Sequence, residues 1–201
     1  MSGLWMRSAI FGLTLQLLVG AAGAWAGPPT ETVKQVIEKT LDILKNPAYQ
    51  EEVRRQKAKA VIDPHFDYQE MAKRSLGPTW GSLSGGQRQE FVALFAQLLE
   101  ASYSDKIKKF AQRVRIDYTG EILSGDNAEV RTVVVKANDR MPLNYRLINE
   151  GGTWKVYDVV VEGVSLVSNY RSQFNRIIHE SSYAELVRRL KNKVSELTPT
   201  G

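Results

Sequence analysis

The sequence predicts an α+β fold in which a curved antiparallel sheet of about four strands packs against several amphipathic helices. Apolar residues recur at helical spacing over residues 30–110 and again over 164–194. The stretch between them is rich in β-branched and aromatic residues, broken by Gly, Asn and Asp turns. Helices and strands thus occupy separate parts of the chain. Such a sheet, combined with long amphipathic helices, can form a cone with an apolar interior.

The first half of the chain is expected to be helical. One helix starts near Thr30 and ends at Asn46-Pro47, and a charged segment continues as a second helix to Asp63-Pro64. Pairs of residues that cap a helix at its N-terminus predict two further helices, the second of them the longest in the chain. These pairs are Asp67 with Glu70, and Ser84 with Gln87.

Four strands follow, expected at Val114–Tyr118, Ala128–Lys136, Leu143–Ile148 and Trp154–Val161. The short connections between them imply an antiparallel meander. In the third strand Leu143, Tyr145 and Leu147 alternate with polar residues, so one face should be buried and the other wet. Regular alternation in the fourth strand places Asp158 on the same side as Trp154.

Two more helices end the chain. Val164, Val167, Tyr170, Phe174 and Ile177 share a helical face, with Ser165 as a cap. A further capping pair, Ser182 with Glu185, begins the last helix.

Residues 1–26 are predicted to be a signal peptide. Arg7 is the only charge before residue 31, the run from Ala9 to Val19 is mostly apolar, and Ala24-Trp25-Ala26 fits a signal peptidase site. The apolar run is well short of the roughly 20 residues that span a bilayer, which disfavours the alternative of a membrane anchor. We expect cleavage after Ala26 and export to the periplasm, leaving a single domain at 27–197 and a disordered tail at 198–201.

Composition excludes several classes of site. The chain contains no cysteine, which rules out disulfides, thiol catalysis, Cys-based zinc sites and a lipid-modified cysteine. Its net charge of +5 comes from Lys and Arg scattered among Asp and Glu. Nucleic acid is not an expected partner, because no basic stripe is interleaved with stacking aromatics. A weak preference for anionic membranes stays open.

An enzyme hypothesis rests on few groups. His65 and His179 lie at expected helix ends, where histidine commonly has a structural role. Asp158 is the best catalytic candidate, as a general base, although it could equally be a buried acceptor for backbone amides, a Tyr or an Arg. No catalytic residue and no metal ligand is therefore assigned. An enzyme that uses Asp158 on a small substrate remains the alternative to a binding protein.

Several segments of the sequence together resemble a known protein family. Residues 156–174 read V-Y-D-V-V-V-E-G-V-S-L-V-S-N-Y-R-S-Q-F, and weaker matches run from Phe66-Asp67 through Trp80 and Leu94-Phe95 to Tyr145-Arg146-Leu147. In these segments the chain resembles the MlaC family of periplasmic phospholipid carriers, also called toluene-tolerance auxiliary proteins. The last segment is the most specific.

The resemblance implies an NTF2-like cone with an apolar cavity and no enzymatic activity. It also implies a soluble shuttle that holds a glycerophospholipid by its acyl chains. The shuttle would work between an outer-membrane lipoprotein–porin complex and an inner-membrane ABC transporter with its MCE-domain protein, and so maintain outer-membrane lipid asymmetry. The phospholipid is cargo rather than a cofactor, and a monomer is expected.

The cavity should be lined by the inward strand face and the facing helices. The candidate lipid-binding residues are Phe95, Leu98, Val133, Val135, Leu143, Tyr145, Leu147, Val156, Val160, Val164, Val167 and Tyr170. The faces of Val133 and Val135 stay open, because valines occupy both faces of that strand. Arg146 and Arg171 either meet a phosphate at the mouth or pair with acidic residues on the surface, and the second role is favoured.

Overall fold

The helices and strands follow one another along the chain in the predicted order. The computed structural model describes residues 27–111 and 114–198, so the predicted signal peptide and tail residues 199–201 lie outside the described residues. Within these ranges the helices are α1 (Pro28–Lys45), α2 (Glu51–Ile62), α3 (Tyr68–Leu76), α4 (Thr79–Ser82), α5 (Gly85–Ala111), α6 (Leu166–Glu180) and α7 (Tyr183–Leu197). The strands are β1 (Arg115–Ser124), β2 (Asn127–Lys136), β3 (Asp139–Glu150), β4 (Thr153–Val161) and β5 (Val164–Ser165). The 3₁₀ turn Asp63–His65 links α2 to α3.

The sheet is an antiparallel meander in the order β1-β2-β3-β4-β5, which confirms the predicted α+β class. It has one short strand more than expected, since β5 folds back on the end of β4. The first strand is also longer than predicted. A β-bulge between Tyr118 and Gly120 carries β1 past the predicted end at Tyr118, because one extra residue there lets the pairing with β2 continue.

Cross-strand pairing defines two faces of the sheet. Residues directly opposite each other on neighbouring strands share a face. Val130 pairs with Tyr145 and Ala128 with Leu147, and their side is here called the inner face. The other side, with Glu129 opposite Arg146 and Val133 opposite Pro142, is the outer face.

A second bulge lies in β4 and corrects one expectation. Arg146 pairs with Asp158, but the next residue of β3, Leu147, pairs with Val156, so Tyr157 is an extra residue in the ladder. The alternation of faces breaks there, and Asp158 lies on the outer face while Trp154 lies on the inner face. The prediction that the two share a side was wrong because it assumed regular alternation through Tyr157.

Helix α1 lies on the inner face. Val33 forms a buried cluster with Ala128, Val130, Leu147 and Val156. The start of the helix is capped from the sheet, since the backbone amide and the hydroxyl of Thr30 donate to the carboxylate of Glu121 over 2.9 and 2.6 Å. A carboxylate at a helix N-terminus is favourable because of the positive end of the helix dipole. This cap fixes where α1 begins on the sheet.

The other large cluster is helical and joins α3, α5, α6 and α7. Its most buried members include Met71, Leu76, Phe91, Phe95 and Leu186. Phe66 packs against both this cluster and the one under α1, and it also forms a parallel bridge with Val156. The helical core is therefore joined to the sheet at β4.

Local capping explains most helix starts and confirms the predicted pairs. The Asp67 side chain accepts from the Glu70 amide at 2.9 Å. Ser84 and Gln87 cap each other reciprocally at 2.9 and 3.2 Å. In the same way Ser165 begins α6 and Ser182 begins α7. The four-residue α4 was not predicted. None of the helices in the described ranges is long and apolar enough to cross a membrane.

Candidate functional site

An apolar gap separates α1 from the inner face of the sheet, and we call it the α1–sheet seam. It is lined by Thr32, Val33, Val36, Ile37, His65, Phe66, Tyr145 and Val156. The gap has a volume of about 20 Å³, which is no more than the room for a single water molecule. The seam as it stands is a closed contact between a helix and a sheet rather than an open pocket.

Two tyrosines lie on the inner face, Tyr145 in the lining of the seam and Tyr118 outside it. Burial raises the pKa of Tyr145, and Tyr118 lies close enough to add to the effect. Burial, with Glu38 and Glu31 of α1 nearby, raises the pKa of Tyr118 to about 12. Both phenols are therefore neutral at physiological pH and can donate hydrogen bonds.

A second concave region lies among α5, α6 and α7, and we call it the helical cleft. It has a volume of about 360 Å³. Its floor is formed by core residues such as Leu98, Phe174 and Leu186, and its rim carries Arg189 and Lys193. Arg189 bonds to Glu185 at 2.7 Å, so this rim charge is already paired. The cleft is a surface depression over a packed core.

The structure divides the candidate lipid-binding residues into separate places. On the inner face lie Leu143, Tyr145, Leu147 and Val156, and in the helical core lie Phe95, Leu98, Val167 and Tyr170. On the outer face, which carries most of the charged residues of the sheet, lie Val133, Val135 and Val160. Val164 is 61% exposed on β5. The lining of a lipid by these residues stays a prediction.

Asp158, the candidate general base, is a buried acceptor. Its carboxylate accepts from the Val167 amide at 3.0 Å, from the Ser165 hydroxyl at 2.6 Å and from Arg146 at 3.2 Å. The residue is 3% exposed. Between Asp158 and Ser165 the chain turns through Glu162 and Gly163, both with positive φ (49° and 83°). Asp158 therefore orients the start of α6 against β4.

The two candidate arginines and His65 have local partners, and His179 is exposed. Arg146 bridges Asp158 and Glu129, at 3.2 and 3.5 Å. The guanidinium of Arg171 lies against Gly77, at the C-terminal end of α3, where a cation is favourable. The Nδ1 atom of His65 lies 2.9 Å from the Val61 carbonyl, and His179 is exposed in the last turn of α6.

Sequence reasoning does not name the helical side of the seam. Val33, Val36 and Ile37 share one face of α1, but no local signal says which surface that face covers. Phe66 enters the sequence analysis only through the family resemblance, although it contacts both apolar clusters. The apolar stripe of α1, facing a strand region with one buried side, is the signal that could have found them.

Fold and seam together define a class, that of small α+β domains in which a helix covers the apolar face of a curved antiparallel sheet. Comparison of the sequence with family profiles is more specific. The profile described as MlaC protein matches residues 34–192, and the chain belongs to the MlaC family.

Two relatives illustrate this membership. The chain is 25% identical over 138 residues to the intermembrane phospholipid transport system binding protein MlaC of Haemophilus influenzae. That alignment spans 66% of this chain and 64% of the relative. A solved phospholipid-binding protein from Ralstonia solanacearum, in complex with a phospholipid, superposes with a TM-score of 0.77 at 23% identity. The superposition covers 85% of this chain and 99% of that one, and it shows a shared fold.

Proposed function

We propose that this chain is a periplasmic carrier that binds a glycerophospholipid by its acyl chains, which lie between α1 and the inner face of the sheet. The observation that carries the proposal is the composition of the seam. Val33 and Ile37 on one side meet Leu147 and Val156 on the other, in one apolar layer between α1 and the sheet. Family membership and the lipid-binding names of the relatives support the same function.

The seam has to widen to hold a lipid. Ligand pockets are typically about 300–1,000 Å³, far more than the 20 Å³ gap. For this, helix α1 has to separate from the sheet, which it contacts through one apolar stripe and the cap from Glu121. When α1 moves away from the sheet, acyl chains enter between them. The chains then cover the apolar surfaces of the helix and the sheet that were in contact before. The buried apolar area is therefore kept.

A physical need for such a carrier follows from the cost of exposing lipid tails. Two chains of about sixteen carbons cost on the order of 25 kcal/mol in water, at about 0.8 kcal/mol per methylene. Spontaneous escape over such a barrier takes on the order of 10⁶ s. A protein seam that keeps the tails dry removes most of this barrier. Because a bilayer is equally apolar, net transfer is nearly balanced and its direction comes from partners.

The partners proposed are an outer-membrane lipoprotein–porin complex and an inner-membrane ABC transporter with its MCE-domain protein. The name of the Haemophilus influenzae relative, an intermembrane transport system binding protein, supports a position between two membranes. In this proposal the chain shuttles as a monomer, and ATP hydrolysis by the transporter supplies direction. Asp158 has no catalytic role in it, because its three hydrogen bonds serve the β4–α6 junction.

Native mass spectrometry tests the proposal. The protein is purified from a bacterial periplasm without detergent and its mass is measured before and after solvent extraction. We expect one glycerophospholipid per protein, together with an N-terminus at Gly27. Protein that runs at its bare mass and takes up no lipid from vesicles would overturn the carrier function.

A further inference from the structure

Two buried hydroxyl groups, one on α1 and one on the sheet, have no hydrogen-bond partner in the described part of the chain. They are Oγ1 of Thr40 on α1 and the phenolic oxygen of Tyr118 on β1. Thr40 is 6% exposed. Buried polar groups in native proteins are nearly always paired, because an unmade bond costs stability. Each such exception indicates a missing acceptor.

Thr40 and Tyr118 belong to the helix and to the sheet face that border the seam, although neither lines the gap itself. Thr40 follows Val33 by seven residues, which is two helical turns, so it lies on the same face of α1. Tyr118 belongs to the inner face and packs against the cluster under α1. One hydroxyl therefore comes from the helix that borders the seam and the other from the sheet.

Other buried hydroxyls among the described residues are satisfied. The Thr30 hydroxyl donates to Glu121 at 2.6 Å. The Thr132 hydroxyl donates to the Leu143 carbonyl, and the Ser75 hydroxyl donates to the Ala72 carbonyl at 2.9 Å. Within residues 27–111 and 114–198 the other buried hydroxyls are paired, so these two exceptions need a cause of their own.

The charges around Tyr118 determine which kind of acceptor its hydroxyl can bind. Glu31 and Glu38 lie near enough to Tyr118 to help raise its pKa, so two negative charges act on this phenol. A phosphate group would be repelled there, whereas a neutral carbonyl oxygen would not. Methylene groups offer no acceptor at all. A diacyl glycerolipid carries two ester carbonyls, adjacent to each other, where its tails meet its glycerol.

We propose that Tyr118 and Thr40 donate hydrogen bonds to the ester carbonyl oxygens of a diacyl glycerolipid whose tails occupy the α1–sheet seam. This inference rests on the proposed carrier function and deepens it. The seam then distinguishes ester-linked lipids from ether-linked lipids of the same length. The two hydroxyls also fix the depth to which the tails enter, because the ester carbonyls remain bound at these donors.

A competition experiment tests the inference. Purified protein is incubated with vesicles containing equal parts of dipalmitoyl phosphatidylethanolamine and its dihexadecyl ether analogue, and the bound lipid is identified by native mass spectrometry. Wild-type protein is expected to prefer the ester lipid severalfold. Tyr118→Phe and Thr40→Val are each expected to lower the ester-to-ether ratio by about three- to tenfold, the value of one hydrogen bond.

Matched controls lie in the same molecule. Thr30→Val removes a satisfied hydroxyl from the same helix, and Tyr183→Phe removes one that donates to the Gln87 carbonyl far from the seam. Both controls should lower the midpoint of unfolding of lipid-free protein while leaving the ester preference intact. Thr40→Val and Tyr118→Phe should show the reverse pattern, with the lipid-free midpoint unchanged or raised.

The outcomes separate the two proposals. Equal uptake of ester and ether lipids by wild-type protein overturns the ester contact but leaves the carrier intact. A preference that survives in both Thr40→Val and Tyr118→Phe does the same. Failure to take up either lipid overturns the carrier function itself.

Discussion

The two apolar regions of the molecule, the helical core and the α1–sheet seam, are built in different ways. In the helical core, aromatic rings from two helices pack against each other. The ring centroid of Phe95 lies 5.1 Å from that of Tyr170 and 5.6 Å from that of Phe174. At the seam a single helix lies on a sheet, capped at one end by Glu121. The helical core has many mutually supporting contacts, whereas the seam has a single layer of contacts between one helix and the sheet.

This difference suggests that the two apolar regions have separate roles within one small domain. Edge-to-face aromatic pairs are specific in geometry and resist separation. A lone amphipathic helix on an apolar sheet face can exchange its contact for another apolar surface at little net cost. The helical core would then hold the fold while the seam opens for cargo.

The largest effect is expected from truncation in the helical core. Phe95→Ala should lower the free energy of unfolding by about 3–5 kcal/mol, because it leaves a cavity among rings that cannot collapse. Urea denaturation measures this loss. Lipid occupancy of the molecules that remain folded should not change. Loss of lipid from folded Phe95→Ala would instead place the tails in the helical core.

The junction between the two regions depends on Asp158. Asp158→Asn should cost about 1–3 kcal/mol in urea denaturation, because the charge that receives Arg146 and Ser165 is removed from a buried position. Glu129→Gln is a control on the partly exposed partner of Arg146 and should cost less. Equal losses in both variants would show that the outer-face ion pairs, rather than the α6 contact, carry the stabilisation.

Filling the seam separates lipid binding from stability. Val156→Trp should reduce phospholipid occupancy at least about tenfold, because the added ring occupies the space that the tails need, with an overpacking cost of about 1–3 kcal/mol. The matched control is Val160→Trp, on the same strand but on the outer face, where burial is similar at 6% against 4%. Lipid extraction followed by mass spectrometry compares the two. Occupancy lost equally in both would remove the distinction between the faces.

The smallest effect is an acid dependence of the helical part. Hydrogen bonds from Arg188 and Arg189 lower the pKa of Glu185 to about 2. Because the folded value lies below the unfolded value of 4.5, the stabilisation is present above that pH and is lost as the pH falls towards 2. Glu185→Gln should therefore flatten the stability–pH curve slightly in this window. An unchanged curve would show that the exposed ion pairs contribute nothing.

Structural features that depend only on residues close together in the sequence could be predicted from it. The predicted capping pairs at Ser84 and Ser182 lie where the structure has them, because a cap involves residues only three positions apart. The antiparallel meander followed from short turns between β-rich segments. The bulges at Thr119 and Tyr157 were missed, since an extra residue in a ladder depends on the partner strand.

The candidate site was harder to predict for the same reason. Leu143, Tyr145 and Leu147 share the inner face as expected, because alternation in β3 is regular throughout and the bulge lies in β4. Phe95 and Leu98 could not be distinguished from cavity residues, because core and cavity residues have the same helical spacing. That α1 covers the sheet is a long-range contact, which no local pattern encodes.

The chain offers one direct test of where the tails lie. If processing follows Ala26 as predicted, only two of its four tryptophans remain, Trp154 against the cluster under α1 and Trp80 against the helical core. Single-tryptophan variants, Trp80→Phe and Trp154→Phe, are loaded with phosphatidylethanolamine brominated along its acyl chains, and fluorescence quenching is measured. We predict strong quenching of Trp154 and weak quenching of Trp80. Quenching of Trp80 with Trp154 unaffected would contradict a seam between α1 and the sheet as the lipid site.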